Sequence, residues 1–158
     1  GDFKMENHVK MLITEQAAEF HREDAKILND YGFDLHFCQK DGIQVLNAIN
    51  EVNPDVVVLD LFMPSMDGIG VVASAMEKPG KHPMFIVLSN FDSSVLEKEV
   101  MSAGASYFVL RPYNVKELAS RIQACGFPFH TGSKHRNSGD RYSSSNRSSS
   151  SYQGLSLS

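Results

Sequence analysis

A chain of 158 residues with 42% apolar and 22% charged residues has room for one domain with a proper core and not for two large ones. No apolar stretch approaches a membrane span and no N-terminal signal pattern is present, so a cytoplasmic protein is expected, with no membrane partner. Residues 1–126 carry 11 Lys and Arg against 18 Asp and Glu, and residues 127–158 carry four against one. An acidic body of this kind argues against nucleic-acid binding by the globular part itself.

Residues 1–8 read as a disordered start. Val9-Lys10-Met11-Leu12-Ile13 reads as the first strand, followed by Thr14-Glu15-Gln16 and a helix whose apolar positions Phe20, Ile27, Leu28 and Tyr31 share a face and which stops at Gly32. Phe33–Phe37 alternates at period two and predicts a second, more exposed edge strand. Asp41 with Gln44 resembles a capping pair opening a helix through Ile43, Leu46 and Ile49. Val56-Val57-Val58-Leu59 is an unbroken β-branched run, the habit of a strand buried on both faces of a parallel sheet. It ends at Asp60, before Pro64 and the turn pair Asp67-Gly68.

A helix is expected over Met66–Glu77, broken at Lys78-Pro79-Gly80. Met84–Leu88 is a second buried strand, ending in Ser89-Asn90. Asp92 is the expected N-cap of a helix running to Ala103 and stopping at Gly104. Tyr107–Leu110 is a fifth strand ending in Arg111-Pro112, and Asn114 with Glu117 caps a last helix whose inward stripe is Val115, Leu118 and Ile122. Residues 9–126 therefore form five strands alternating with five helices, an α/β unit with a parallel sheet between helical layers. Residues 127–158 are serine-rich and without apolar periodicity, so a disordered linker or tail is expected. Cys38 and Cys125 have neither CxxC spacing nor a His cluster, which leaves two reduced thiols in or near the core.

Asp60, Ser89 and Arg111 arrive at the ends of three strands, and Glu15 and Gln16 at the end of a fourth. In open α/β sheets ligands bind at this carboxyl edge. An acid, a hydroxyl and a cation converging there suit a phosphoryl group, with the acid as acceptor and the other two as donors to its oxygens.

With these residues in hand, residues 9–125 resemble the receiver domain of bacterial two-component response regulators. The resemblance rests on Val-Leu-Asp-Leu-Phe-Met-Pro-Ser-Met-Asp-Gly around Asp60, on Ser89, and on Gly-Ala-Ser-Tyr-Phe-Val-Leu-Arg-Pro-Tyr at 104–113. Pro-Asp-Val-Val-Val-Leu-Asp, Gly-Ala-Ser-Tyr-Phe and the serine-rich linker are similar to those of sporulation regulators of spore-forming bacteria, where a helical DNA-binding domain follows. The resemblance implies the strand order 2-1-3-4-5 and a phosphoacceptor at Asp60. It implies a histidine kinase or phosphotransfer protein as donor, and at most self-directed phosphotransfer in place of enzymatic turnover. Mg²⁺ would be held by Glu15, Asp60 and the backbone carbonyl of Phe62. Ser89 and Phe108 would be the switch pair, and a cis bond would precede Pro112. Dimers would form through the face made by the fourth helix, fifth strand and fifth helix.

Two departures qualify the resemblance. Gln16, a neutral amide, falls where the family has an acid that ligates Mg²⁺ directly, which argues for weakened or absent metal binding. Arg111 stands where the family has Lys, and its planar fork could pair with Asp60 and take the cation's place. The expected function is thus a receiver with impaired phosphorylation controlling a DNA-binding effector. Its rival is a phosphorylation-independent module used for interaction or dimerisation. A flavodoxin-like cofactor binder of the same fold is disfavoured, since Thr14-Glu15-Gln16-Ala17-Ala18 offers no Gly- or Ser-rich phosphate cradle.

Overall fold

The computed structural model describes residues 8–15 and 20–127; the expectations for residues 1–7, for Gln16 and for the stretch from 128 onward lie outside them. Five strands, β1 (Val9–Ile13), β2 (Phe33–Phe37), β3 (Val56–Asp60), β4 (Met84–Ser89) and β5 (Tyr107–Leu110), alternate with five helices. These are α1 (Arg22–Asp30), α2 (Gly42–Val52), α3 (Gly68–Glu77), α4 (Ser94–Ala103) and α5 (Val115–Gln123). All strand pairs are parallel and the sheet order is β2-β1-β3-β4-β5, as expected.

Position in the sheet explains the hydropathy of each strand. β3 lies between β1 and β4, and every one of its residues is buried, whereas β2 at the edge buries only Phe33. Two apolar layers flank the sheet. One packs Met11, Ile13, Val56, Val58, Ile86 and Leu88 against Leu28 of α1 and Leu118 and Ile122 of α5. The other packs Leu12, Val57, Leu59, Phe85 and Val87 against Val45 of α2, Val71 and Val72 of α3 and Val100 of α4. Each such side chain contributes about 1.5–3 kcal/mol on burial, more than a typical helix cap, so the double-sided core fixes the sheet.

Caps set the helix boundaries, and here three expectations are corrected. α3 begins at Gly68 and not Met66, because Asp67 is the N-cap and accepts the Gly70 N–H at 2.8 Å. Ser93, not Asp92, caps α4, its hydroxyl accepting the Leu96 N–H at 3.2 Å. Phe20 and Tyr31 lie just outside α1, yet both still pack against the core. The caps at Asp41 and Asn114 are formed as expected, Asp41 accepting from Ile43 and Gln44 and Asn114 from Glu117. Cys125 is exposed and Cys38 half-buried, so the core placement expected for the thiols fails for Cys125. Burial pushes the Cys38 thiol up to about 11. Phe127 packs against the core, one residue past the expected boundary. No helix among the described residues is long and apolar enough to cross a membrane.

Two glycines let the loops close over the carboxyl end of β3. A Cβ on Gly68 would come within 2.8 Å of the Asp60 carbonyl oxygen, so the chain can return to bond the Gly68 N–H to Leu61 only without one. A Cβ on Gly42 would lie 2.0 Å from the Met66 carbonyl oxygen. That close approach, with Ser65 Oγ donating to Asp41 Oδ2 at 2.9 Å, ties the loop after β3 to the start of α2. The Gln44 N–H, then the Ser65 hydroxyl, hold the Asp41 carboxyl below its usual range.

Candidate functional site: the carboxyl edge of the sheet

Among the described residues, three polar or charged side chains are buried: Thr14, Asp60 and Ser89. They stand at the ends of β1, β3 and β4, on one edge of the sheet. Buried polar groups demand partners, and those partners define the site.

Asp60 is the last residue of β3 and registers with Leu88, which sets it one position short of Ser89 on the neighbouring strand. Arg111 follows β5, and its N–H donates to the Ser89 carbonyl at 2.9 Å, so the guanidinium is launched from the same edge. The peptide bond between Arg111 and Pro112 is cis, as the resemblance implies. Arg111 Nη1 donates to Asp60 Oδ2 at 2.9 Å, and Nη2 donates to Asp60 Oδ1 at 3.2 Å and to Glu15 Oε2 at 3.0 Å. The fork thus takes both oxygens of one carboxylate and bridges to a second. Burial alone would pull the guanidinium's pKa down, but the hydrogen bond and charge of Asp60, then those of Glu15, hold it above its ordinary value. The Lys40 ammonium stands 3.8 Å from Glu15 Oε2, so two cations face two carboxylates.

Thr14 completes the arrangement. Its hydroxyl donates to Asp60 Oδ1 at 2.8 Å and accepts the Asp60 N–H at 3.1 Å. Tyr113, beside Arg111, has its phenol pushed up to about 12, chiefly by burial, against the lowering effect of the Arg111 charge.

The structure brings together Asp60, Arg111 and Glu15 of the residues singled out from sequence. Ser89 is buried at the end of β4, and its hydroxyl donates to the Phe91 carbonyl and accepts the Phe91 N–H, both at 2.9 Å. Phe108 is a buried residue of β5 packed among Val57, Val87 and Val100. Phe62 lies two residues past Asp60, 56% exposed, its ring edge-on to Phe91 at 5.8 Å between centroids. Gln16 falls outside the described residues. Thr14 and Lys40 were not legible as site residues. The available signal was a hydroxyl directly after a strand that neighbours β3, and a lysine in the loop after the edge strand.

Mg²⁺ requires near-octahedral oxygen coordination at about 2.0–2.1 Å. Here both Asp60 oxygens and Glu15 Oε2 already accept from Arg111, whose charge balances theirs. Among the described residues no group of three or more His, Cys, Asp or Glu is placed to hold a metal ion. In this arrangement the Arg111 guanidinium takes the carboxylate oxygens of Asp60 and Glu15 that a cation at this edge would use.

A parallel five-stranded sheet in this order, with an acid, a hydroxyl and a cation at its carboxyl edge, defines a receiver-type signalling module. Residues 11–123 match the response regulator receiver domain, and the chain belongs to that family. Solved structures agree. The receiver domain of Francisella response regulator 1452 is 26% identical, with 73% of this chain and 94% of that one covered and a TM-score of 0.63. A LuxR-family DNA-binding response regulator from Staphylococcus aureus is 23% identical, covering 73% and 96%, with a TM-score of 0.63. CheY in the CheX-CheY-BeF3-Mg²⁺ complex from Borrelia burgdorferi is 24% identical, covering 77% and 97%, with a TM-score of 0.64.

Proposed function

We propose that this receiver acts as an interaction module whose Asp60 is held by Arg111 instead of being phosphorylated with Mg²⁺. One observation carries the reading: the Arg111 guanidinium makes three hydrogen bonds to Asp60 and Glu15, the carboxylates a cation would need. The family resemblance implies Mg²⁺ neutralising charge at the acceptor site, and the Borrelia CheY structure is a complex with BeF3 and Mg²⁺. A tethered guanidinium supplies that neutralisation without a free metal and without leaving coordination positions open. Gln16, in place of the family's acid, removes a further ligand. The exposed Phe62 and Phe91, two residues past Asp60 and Ser89 and edge-on to each other, support a role in contact with partners.

The effector that this receiver would control is a DNA-binding domain. The Staphylococcus LuxR-family regulator supports this, as do the phrases shared with sporulation regulators around Asp60 and at 104–108. Dimerisation through α4, β5 and α5 belongs to the same reading.

A second reading keeps Asp60 as the acceptor of a phosphoryl group from a histidine kinase or phosphotransfer protein, with Ser89 and Phe108 as the switch. The buried Ser89 at the end of β4 favours it. Calorimetric titration of the full chain with MgCl₂ separates the two. The first reading expects no saturable heat up to ~10 mM, with binding gained in Gln16→Asp/Arg111→Lys. Saturation of the unsubstituted chain at or below ~1 mM supports the second.

A further inference from the structure

We infer that Thr14 is a positioning residue that restrains the Asp60 carboxylate independently of Arg111. It would keep Asp60 a poor phosphoryl acceptor even when the guanidinium is gone. The inference rests on the reading above, in which Asp60 is held.

The geometry at Thr14 is a closed loop of two hydrogen bonds to one residue. Its Oγ1 donates to Asp60 Oδ1 at 2.8 Å and accepts from the Asp60 backbone N–H at 3.1 Å. Binding a residue through both its main chain and its side chain fixes the rotation about the bond between them. The threonine itself is stiff: it is β-branched, directly follows β1, and its N–H donates to the Val58 carbonyl at 3.1 Å. It is 0% exposed, so its hydroxyl has no bulk water to turn to. The two restraints divide the carboxylate. Oδ2 takes the shorter Arg111 bond at 2.9 Å, while Oδ1 takes Thr14 at 2.8 Å and the longer Arg111 bond at 3.2 Å. With the guanidinium removed, Oδ1 remains bonded.

The chemical consequence follows from charge. In transfer from an acyl phosphate, an Asp60 oxygen attacks phosphorus and a new O–P bond forms. The bond from phosphorus to the donor's carboxylate oxygen breaks, and that carboxylate leaves with the electron pair. The attacking carboxylate loses negative charge along the way. A hydrogen bond from Thr14 is strongest to the full anion, so it stabilises the reactant more than the transition state. Removing it speeds the step by up to about tenfold, a ceiling set by the full worth of one such bond.

The test uses the full chain in the Gln16→Asp/Arg111→Lys background, with acetyl phosphate and Mg²⁺, the modified fraction read by intact mass against time. Adding Thr14→Val is expected to raise the rate severalfold, up to about tenfold, and adding Thr14→Ser, which keeps the hydroxyl, to leave it unchanged. Circular dichroism checks folding, with Thr14→Ala replacing Thr14→Val should the Asp60 N–H, stripped of its acceptor, prevent it. Equal rates with and without the hydroxyl, including no modification in either, overturn the inference. So does a rise in the Thr14→Ser chain equal to that in Thr14→Val, since the effect then comes from packing. Modification of the unsubstituted chain as fast as the Gln16→Asp/Arg111→Lys chain would refute the proposed reading of the site and leave the comparison at Thr14 intact.

Discussion

Arg111→Met keeps most of the side-chain stem but removes three charge-assisted hydrogen bonds at once. It leaves the carboxylates of Asp60 and Glu15, whose side chains are 12% and 15% exposed, facing each other without their shared cation. Breaking a fully buried pair in this way costs about 3–5 kcal/mol, and the 23% exposure of Arg111 lets water recover part of it, so a loss of about 2–4 kcal/mol is expected. Asp60→Asn removes one of the stranded charges. The double variant should therefore be less destabilised than the two single losses combined, with a coupling of about 1–3 kcal/mol. Urea unfolding of the four chains, followed by circular dichroism at constant m, measures the cycle. High salt should change the coupling little, because a pair this close and this covered is poorly screened. A single loss below about 1 kcal/mol together with additive effects would refute the argument, since the bridge would then be no stronger than a surface ion pair.

Three further outcomes follow from the loops and thiols. Gly42→Ala should destabilise by about 1–3 kcal/mol in the same urea assay, because the added carbon meets the main-chain oxygen of Met66, which cannot swing away. Asp41, whose pKa is lowered in the fold, contributes stability that is present above the unfolded pKa of about 4 and is lost as pH falls through the folded value. The gap in melting temperature between the unsubstituted chain and Asp41→Ala should accordingly narrow below about pH 4 and stay flat from pH 5 to 8. A thiol-reactive dye at pH 8 should label the exposed Cys125 readily and the half-buried Cys38 only slowly, since burial holds Cys38 protonated up to about 11.

The sheet was legible because its signal is local. Val56–Leu59 and Met84–Leu88 are short, β-rich and apolar without a break, the habit of a strand covered on both faces. The caps at Asp41 and Asn114 were legible for the same reason, each lying within three residues of the N–H groups it satisfies. At α4 the expected cap Asp92 gives way to its neighbour Ser93, a shift set by loop geometry that no local pattern encodes. The start of α3 shifted because the loop from Pro64 onward uses Ser65 at φ 72 and ties itself to Asp41, a partner 24 residues away. The convergence of Glu15, Asp60 and Arg111 could be read from strand ends and residue type. The part played by Thr14 could not, because it depends on how the end of β1 stands against β3, and neither does that of Lys40, contributed by the far edge of the sheet.

The most direct test of the central claim is phosphorylation itself. The full chain, incubated with Mg²⁺ and acetyl phosphate and weighed intact, should show no added phosphoryl mass, and beryllofluoride with Mg²⁺ should leave its amide NMR spectrum unchanged. A phosphoryl-sized mass gain that disappears in Asp60→Asn would contradict the claim, and would mean that Arg111 yields its place to the phosphoryl group.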